Sequence, residues 1–318
     1  MKEGFKGIED DRTGWQAYRK GKCGSSQVGT ILGLNRWQSA YQLWAVETGR
    51  IPEEPHGDAA LFGRLVEPAI QQLWAHNHPG FKVDDCQTTY EHEDYPWAIA
   101  SPDAWITPFI GEEIVEESTG EFIAKNGQRG LLECKHTAVF SDDWDDGIPD
   151  VHHVQTQWQL GVLNVDYAYV AAIIGGRAND LKSFLVRFDK GLFTTLIEKV
   201  KEFRRCVDED EPPEAVAADI KLLDKLSNRR DTTIELGPQY DSVVKEYDEA
   251  RQQRLAVQKE VTHWDKKQKD AEAKLRQYMA TANRGITTDG RMVVLKRNVR
   301  EPRMTKESVF WTLRIKEM

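Results

Sequence analysis

A mixed α/β sheet flanked by helices, followed by a mainly helical extension, is the fold class that the sequence predicts. Three observations carry it. Short β-prone runs alternate with amphipathic stretches over the first two-thirds of the chain. The segment Asp208–Pro213 is acidic and ends in two prolines, as linkers do. From Pro238 to Asn283 neither Gly nor another Pro follows, and Glu, Lys, Gln, Arg and Ala dominate, which reads as one long solvated helix or a helical hairpin. The expected domains are residues 1–210 and 211–318, the second closing on a β-hairpin.

Taken in order, Ser39–Thr48 is a short helix ended by Gly49. Ala59–Asn77 is a longer amphipathic one, with Leu61, Phe62, Leu65, Val66, Ile70, Leu73 and Trp74 expected on its packed side. Trp97–Ala100 and Ala104–Thr107 read as strands interrupted by Ser101-Pro102-Asp103, and Gly130–His136 as a strand with a polar end. The acidic stretch Gly111–Gly127 between them reads as an inserted hairpin or loop. Val151–Leu163 follows as a helix, Tyr167–Ile174 and Leu181–Phe188 as strands, and Leu192–Val207 as a helix. Asp289-Gly290, set between short β-prone runs, marks the terminal hairpin.

Composition narrows the function. Lys and Arg number 43 against 52 Asp and Glu, so any nucleic-acid contact must be local rather than a cationic coat. No apolar run is long enough for a membrane span, and Met1–Asp11 has no apolar core of a secretion signal. The four cysteines are scattered without a CxxC pair, against a zinc ribbon, an iron–sulfur cluster or a disulfide framework. The expectation is a soluble cytoplasmic protein with reduced thiols.

Chemistry concentrates in Ser101-Pro102-Asp103 and, downstream, Leu131-Leu132-Glu133-Cys134-Lys135. Alternate residues of a strand share a face, so Glu133 and Lys135 project together while Cys134 points the other way. Asp103 sits at a chain break made by Pro102 and can converge on the same place. Two carboxylates and a main-chain carbonyl suit Mg²⁺, and a nearby Lys can hold a water or a developing negative charge. Glu67, beside the apolar face of its helix, is a candidate further ligand; an exposed helix charge would read the same. Gln155 and Gln159 are one turn apart on one helix face, which near a metal could orient a water or phosphate, and elsewhere is only a polar face. Trp15, Trp37, Trp44, Trp74, Trp97 and Trp105 are expected mostly in the core, Trp37 having a loop position against nucleic acid as its alternative. His152 and His153 are expected to be half-buried structural residues, the Asp142–Asp146 run a solvated loop, and the basic stretch from Arg284 to Arg303 either a DNA contact or a hairpin packed on acidic surface.

The order Gly63-x-x-x-Glu67, Ser101-Pro102-Asp103, Glu133-x-Lys135, Gln155-x-Gln157 resembles that of the PD-(D/E)xK nucleases, and the fuller pattern resembles their YqaJ-type viral recombinase branch, which contains phage lambda exonuclease. Trp15-x-x-x-Arg19, Gly24-Ser25-Ser26, Ile31–Asn35, Ser39-x-Tyr41-x-Leu43-Trp44 and Thr48-Gly49 extend the likeness over residues 12–175. Gln27 stands where that family often has Glu. The resemblance implies a restriction-endonuclease-like core. It implies Asp103, Glu133 and Glu67 as ligands of Mg²⁺ (Mn²⁺ able to substitute), with the Cys134 carbonyl added. Lys135 would activate or position the water, and Gln155 would orient the site. Arg19 and Ser26 would take a 5′-phosphate, although a surface Arg and a helix N-cap Ser would look alike in sequence. The implied activity is 5′→3′ digestion of one strand of linear double-stranded DNA for recombination, in a bacterial host carrying the phage or prophage. The implied partners are a single-strand annealing protein and further copies of the chain, possible as a ring trimer. The competing readings are a RecB- or Cas4-like nuclease of other polarity, a non-catalytic DNA-binding module, and a scaffold built on the long helix.

Overall fold

The structure is a computed structural model that describes residues 1–8, 10–53, 57–109, 114–115, 122–124, 127–137, 144–175, 180–226, 235, 237–300 and 308–316. The chain separates into two compact units, Met1–Arg229 and Arg230–Met318. The first unit runs β1 (Lys2–Lys6), α1 (Arg12–Arg19), β2 (Cys23–Gly24), α2 (Ser25–Ile31), α3 (Ala40–Glu47), α4 (Asp58–Asn77), β3 (Phe81–Asp85), β4 (Thr88–Glu91), β5 (Ala98–Ala100) and β6 (Ala104–Pro108). It continues with the short pair β7 (Ile114–Val115) and β8 (Phe122–Ala124), then β9 (Gly130–Thr137), α5 (Asp150–Leu163), β10 (Tyr167–Ile174), β11 (Leu181–Arg187), α6 (Lys190–Asp208) and α7 (Ile220–Leu226).

The main sheet has the order β11-β10-β9-β6-β3. β9 and β10 are parallel and joined through α5, while the other neighbours are antiparallel, so the sheet is mixed. Helices cover both faces, as the alternation of side chains demands. Leu131, Trp105 and Val170 point into one layer with Trp158, Leu160 and Val162 of α5. Leu132, Ala104, Ile106 and Ala171 point into the other, against Ile70 and Trp74 of α4. A third cluster joins Tyr41, Leu43 and Trp44 of α3 to Phe203 of α6 and to Leu222, Leu223 and Leu226 of α7. The fully buried Asp219 accepts a hydrogen bond from Ser39 Oγ at 2.6 Å, so the segment beyond Pro213 folds back on this unit.

A smaller sheet, β1-β4-β5-β2, adjoins the main one. Ser101-Pro102-Asp103 is the corner at which the chain leaves it, after β5, and enters the main sheet as β6. Pro102 lacks an N–H and so fits where ladder pairing is interrupted. The corner is pinned: Ser101 Oγ pairs with Thr89 Oγ1 at 2.7 Å, and the Asp103 carbonyl accepts from Cys86 N at 3.2 Å and Gln71 Nε2 at 3.1 Å.

Two expectations about burial need correction. The first half of α4 packs only loosely: Leu61, Phe62 and Leu65 are exposed, Phe62 touching His136 by its ring edge and Val66 half-buried against the core, and full burial begins at Ile70. Trp37 is 81% exposed rather than in the core, since the turn after α2 carries it outward. Ser26 is not the cap of α2; Gly24 occupies that position. The 111–127 insertion contains the antiparallel pair β7–β8, and its remaining positions except Gly127 lie outside the described residues, as do Asp142 and Asp143.

The second unit holds α8 (Asp241–Met279) and the antiparallel sheet β12 (Arg284–Ile286), β13 (Met292–Arg300) and β14 (Ser308–Lys316). α8 is one 39-residue helix without a buried residue, not a hairpin. Asp289-Gly290 turns β12 into β13 with Gly290 at φ +85, as the hairpin signal implied. The third strand, β14, was not expected; Arg303 lies outside the described residues.

Candidate active site

Glu133 and Lys135 stand on one face of β9, and α5 supplies the other wall. Glu133 is 2% exposed. Its Oε1 accepts from Lys135 Nζ at 2.5 Å and from Gln155 Nε2 at 2.5 Å, and its Oε2 accepts from Gln159 Nε2 at 2.7 Å. Lys135 Nζ also donates to Gln155 Oε1 at 3.2 Å. A buried carboxylate is tolerated only when paired and hydrogen-bonded in this way. Asp103 reaches across from the corner, and its Oδ2 accepts from Cys134 N at 2.7 Å. Asp103, Glu133, the Cys134 backbone, Lys135 and Gln155 are therefore one cluster, drawn from three separate stretches of chain.

Electrostatics in the cluster are strained by shared negative charge. Burial, then Glu133, then Glu67 push the Asp103 carboxyl well above the usual range. Glu67, on α4, thus acts on the cluster through its charge. Burial works to lower the Lys135 pKa, but Glu133 and Asp103 outweigh it and hold the ammonium above its ordinary value. The Cys134 thiol is pushed up chiefly by burial and stays protonated on the opposite, apolar face. A dication would relieve the repulsion between the carboxylates, and an all-oxygen donor set fits a hard ion such as Mg²⁺. Among the described residues no three His, Cys, Asp or Glu side chains form a ready-made metal cage. Main-chain oxygen and water would complete the shell, as is usual for Mg²⁺.

Two cavities share Ser26 and Asn35, and one of them reaches the cluster at Gln155. One, of about 730 Å³, is bordered by Gln155, Ser26, Arg36 and Trp37. The other, of about 550 Å³, is bordered by Arg19, Ser26, Gln27 and Glu47. Gly29 of α2 faces Val151 of α5 so closely that an added Cβ would come within 2.6 Å, which is how α2 brings Ser26 up to α5. Arg19 lies over the Trp15 ring, 4.6 Å from its centre. Gln27 bridges Gly24 N (2.9 Å) and Glu47 Oε1 (3.0 Å), so the amide that departs from the family pattern has a carboxylate partner of its own. The sequence reading of Gln155 and Gln159 left open what they face; Gln159 caps Glu133. Gln71, which holds the Asp103 carbonyl, was missed, although a Gln between Ile70 and Trp74 and one turn from Glu67 was a visible signal.

Residues 14–166 match the family described as the YqaJ-like viral recombinase domain. The matched segment is similar to that family's domain. It includes every element of the cluster and of the Arg19–Ser26 corner. The "Uncharacterized protein YqaJ" of Bacillus subtilis (strain 168) is 32% identical over 176 residues, covering 54% of this chain and 49% of that protein. The chain thus spans about half the length of that curated relative. Among solved structures, an alkaline exonuclease from Laribacter hongkongensis is 15% identical with a TM-score of 0.47, covering 68% of this chain and 100% of that one. A phage-related exonuclease from Haemophilus somnus 129PT is 10% identical with a TM-score of 0.42, covering 59% and 94%. Among the described residues no helix is long and apolar enough to cross a membrane.

Proposed function

We propose that the YqaJ-like domain is a Mg²⁺-dependent DNA exonuclease that degrades the 5′-ended strand of linear double-stranded DNA and leaves 3′ single strand for recombination. The observation that carries this reading is the buried Glu133 with half-buried Asp103 beside it, Lys135 and Gln155 being bonded to Glu133 at the edge of an open cavity. Asp103, Glu133 and the Cys134 carbonyl would hold the ion, with Glu67 acting from the α4 side. When bound, the ion supplies positive charge against the scissile phosphate and a more acidic water. Lys135, anchored by Glu133 and Gln155, keeps its ammonium aimed at the site, where it steadies charge that develops on the phosphate oxygens. Arg19, in the second cavity, and Ser26, which borders both, would receive the terminal 5′-phosphate through a guanidinium fork and a hydroxyl. A single-strand annealing protein and self-association, as in a ring trimer, belong to the same proposal.

The test uses linear duplex labelled at each end in turn, with 5′-phosphate or 5′-hydroxyl termini, in Mg²⁺ or EDTA. The expected result is Mg²⁺-dependent loss of the 5′-phosphate strand, reduced by at least about 10³-fold in Glu133→Ala. Loss from the 3′ end, or cutting of closed circles, would move the chain to another nuclease branch. DNA binding without hydrolysis by folded wild type would leave a binding module.

A further inference from the structure

We infer that the turn Asn35–Trp37 carries a nucleobase subsite, with Trp37 as the stacking platform for an unpaired base of the strand being degraded. The inference rests on the nuclease reading above and deepens it, because nothing in the metal and phosphate roles requires this tryptophan. Trp37 is 81% exposed, whereas Trp44, Trp74, Trp105, Trp144 and Trp158 are buried. A ring of that size left in water forgoes the gain that core burial would bring, so the turn presents it for some purpose other than packing.

The presentation is built into the chain. Trp37 N donates to Asn35 Oδ1 at 2.9 Å, and Asn35 Nδ2 donates to Thr30 Oγ1 at 2.9 Å. Thr30 is 2% exposed within α2, so the turn is tied to a rigid element. Gly33, at φ +73, makes the chain reversal that releases the turn from the helix. Arg36 lies over the Trp37 ring, 4.9 Å from its centre.

The chemistry of the same cavity selects the part of a nucleotide it accepts. Asp146 and Asp150 border it together with Trp37 and Gln155. These carboxylates, in a cavity that Arg36 and His152 also border, accept hydrogen bonds from the amino groups of a base. The volume of about 730 Å³ is ample for a nucleotide. The phosphate contacts fall to Arg19 in the neighbouring cavity, and Ser26 borders both. On this assignment the base and the terminal phosphate occupy the two cavities that share Ser26 and Asn35.

The test crosses a change in the protein with a change in the DNA. The full-length chain with Glu133→Gln, which prevents degradation during the measurement, is titrated with 5′-phosphorylated duplexes whose two terminal pairs are mismatched. A second set carries abasic sites at the same two positions of the 5′ strand. With Trp37 present, base removal is expected to weaken binding about tenfold. With Trp37→Ala added, intact and abasic ends are expected to bind equally, and Trp37→Phe should restore part of the difference. A Trp37→Ala protein that still distinguishes intact from abasic ends as wild type does would overturn the subsite while leaving the nuclease reading in place. Absence of both binding and hydrolysis in the wild-type chain would instead remove the nuclease reading and the subsite with it.

Discussion

Helices α5 and α8 both carry several glutamines, and those glutamines live in opposite surroundings. α5 has 14 residues, nine of them buried, and its Gln155, Gln157 and Gln159 are all engaged. α8 has 39 residues, none buried, and its Gln252, Gln253, Gln258, Gln268 and Gln277 face solvent. A glutamine on a helix is a polar surface residue by default. It becomes part of a site only when a neighbouring element sets a charge beneath it, as β9 sets Glu133 beneath α5. The helices differ both in what packs on them and in composition: α5 carries one charged side chain, Asp150, among Val, Trp and Leu, whereas α8 is rich in Asp, Glu, Lys and Arg.

The largest expected contrast is in stability. Trp158→Ala on α5 removes a fully buried ring and should cost about 3–5 kcal/mol, read as an early midpoint in denaturant. Trp264→Ala on α8, where the ring is 62% exposed, should stay within about 0.5 kcal/mol. Equal losses would mean that α8 is covered in solution.

Next comes catalysis. Gln159→Leu keeps the side-chain size but leaves Glu133 Oε2 without its donor, so kcat should fall about 10- to 100-fold with little change in KM. Gln258→Leu on α8 should leave both constants unchanged, and a matching loss there would erase the comparison.

Glu47 offers an intermediate case, half-buried on α3 and bonded to Gln27. Burial raises its pKa against the opposing pull of Gln27 and Arg19. A carboxyl whose folded pKa lies above its unfolded one contributes stability below the unfolded pKa and loses it as pH rises through the folded value. Ionised Glu47 therefore costs stability at neutral pH. Glu47→Gln should raise stability at pH 7 by less than about 1 kcal/mol, given partial solvent screening, read as a higher melting temperature. The gain should vanish below about pH 4, where the wild-type carboxyl is protonated. A gain that persists in acid would assign the effect to packing instead.

Much of the site was legible because its logic is local. Period-two alternation put Glu133 and Lys135 on one face of β9 and Cys134 on the other. The i,i+4 spacing put Gln155 with Gln159. What sequence spacing could not state was the choice of partner across the chain. β5 and β6 read as one interrupted strand, yet they belong to different sheets, because ladder partners lie at distances in sequence that no local pattern encodes. The apolar side of α4 read as continuous, yet its full burial is confined to the second half.

By itself the sequence determined the fold class, the strand that carries Glu133 and Lys135, the helical character of the stretch that forms α8 and the family pattern over the first half of the chain. Local propensity, side-chain periodicity and turn chemistry suffice for these. The tertiary structure alone decided that Asp103 turns the corner between two sheets, that Gln159 caps Glu133, that Gln71 holds the Asp103 backbone and that Trp37 faces solvent. Burial and long-range hydrogen bonding are properties of which elements meet, and they exist only once the layers have packed.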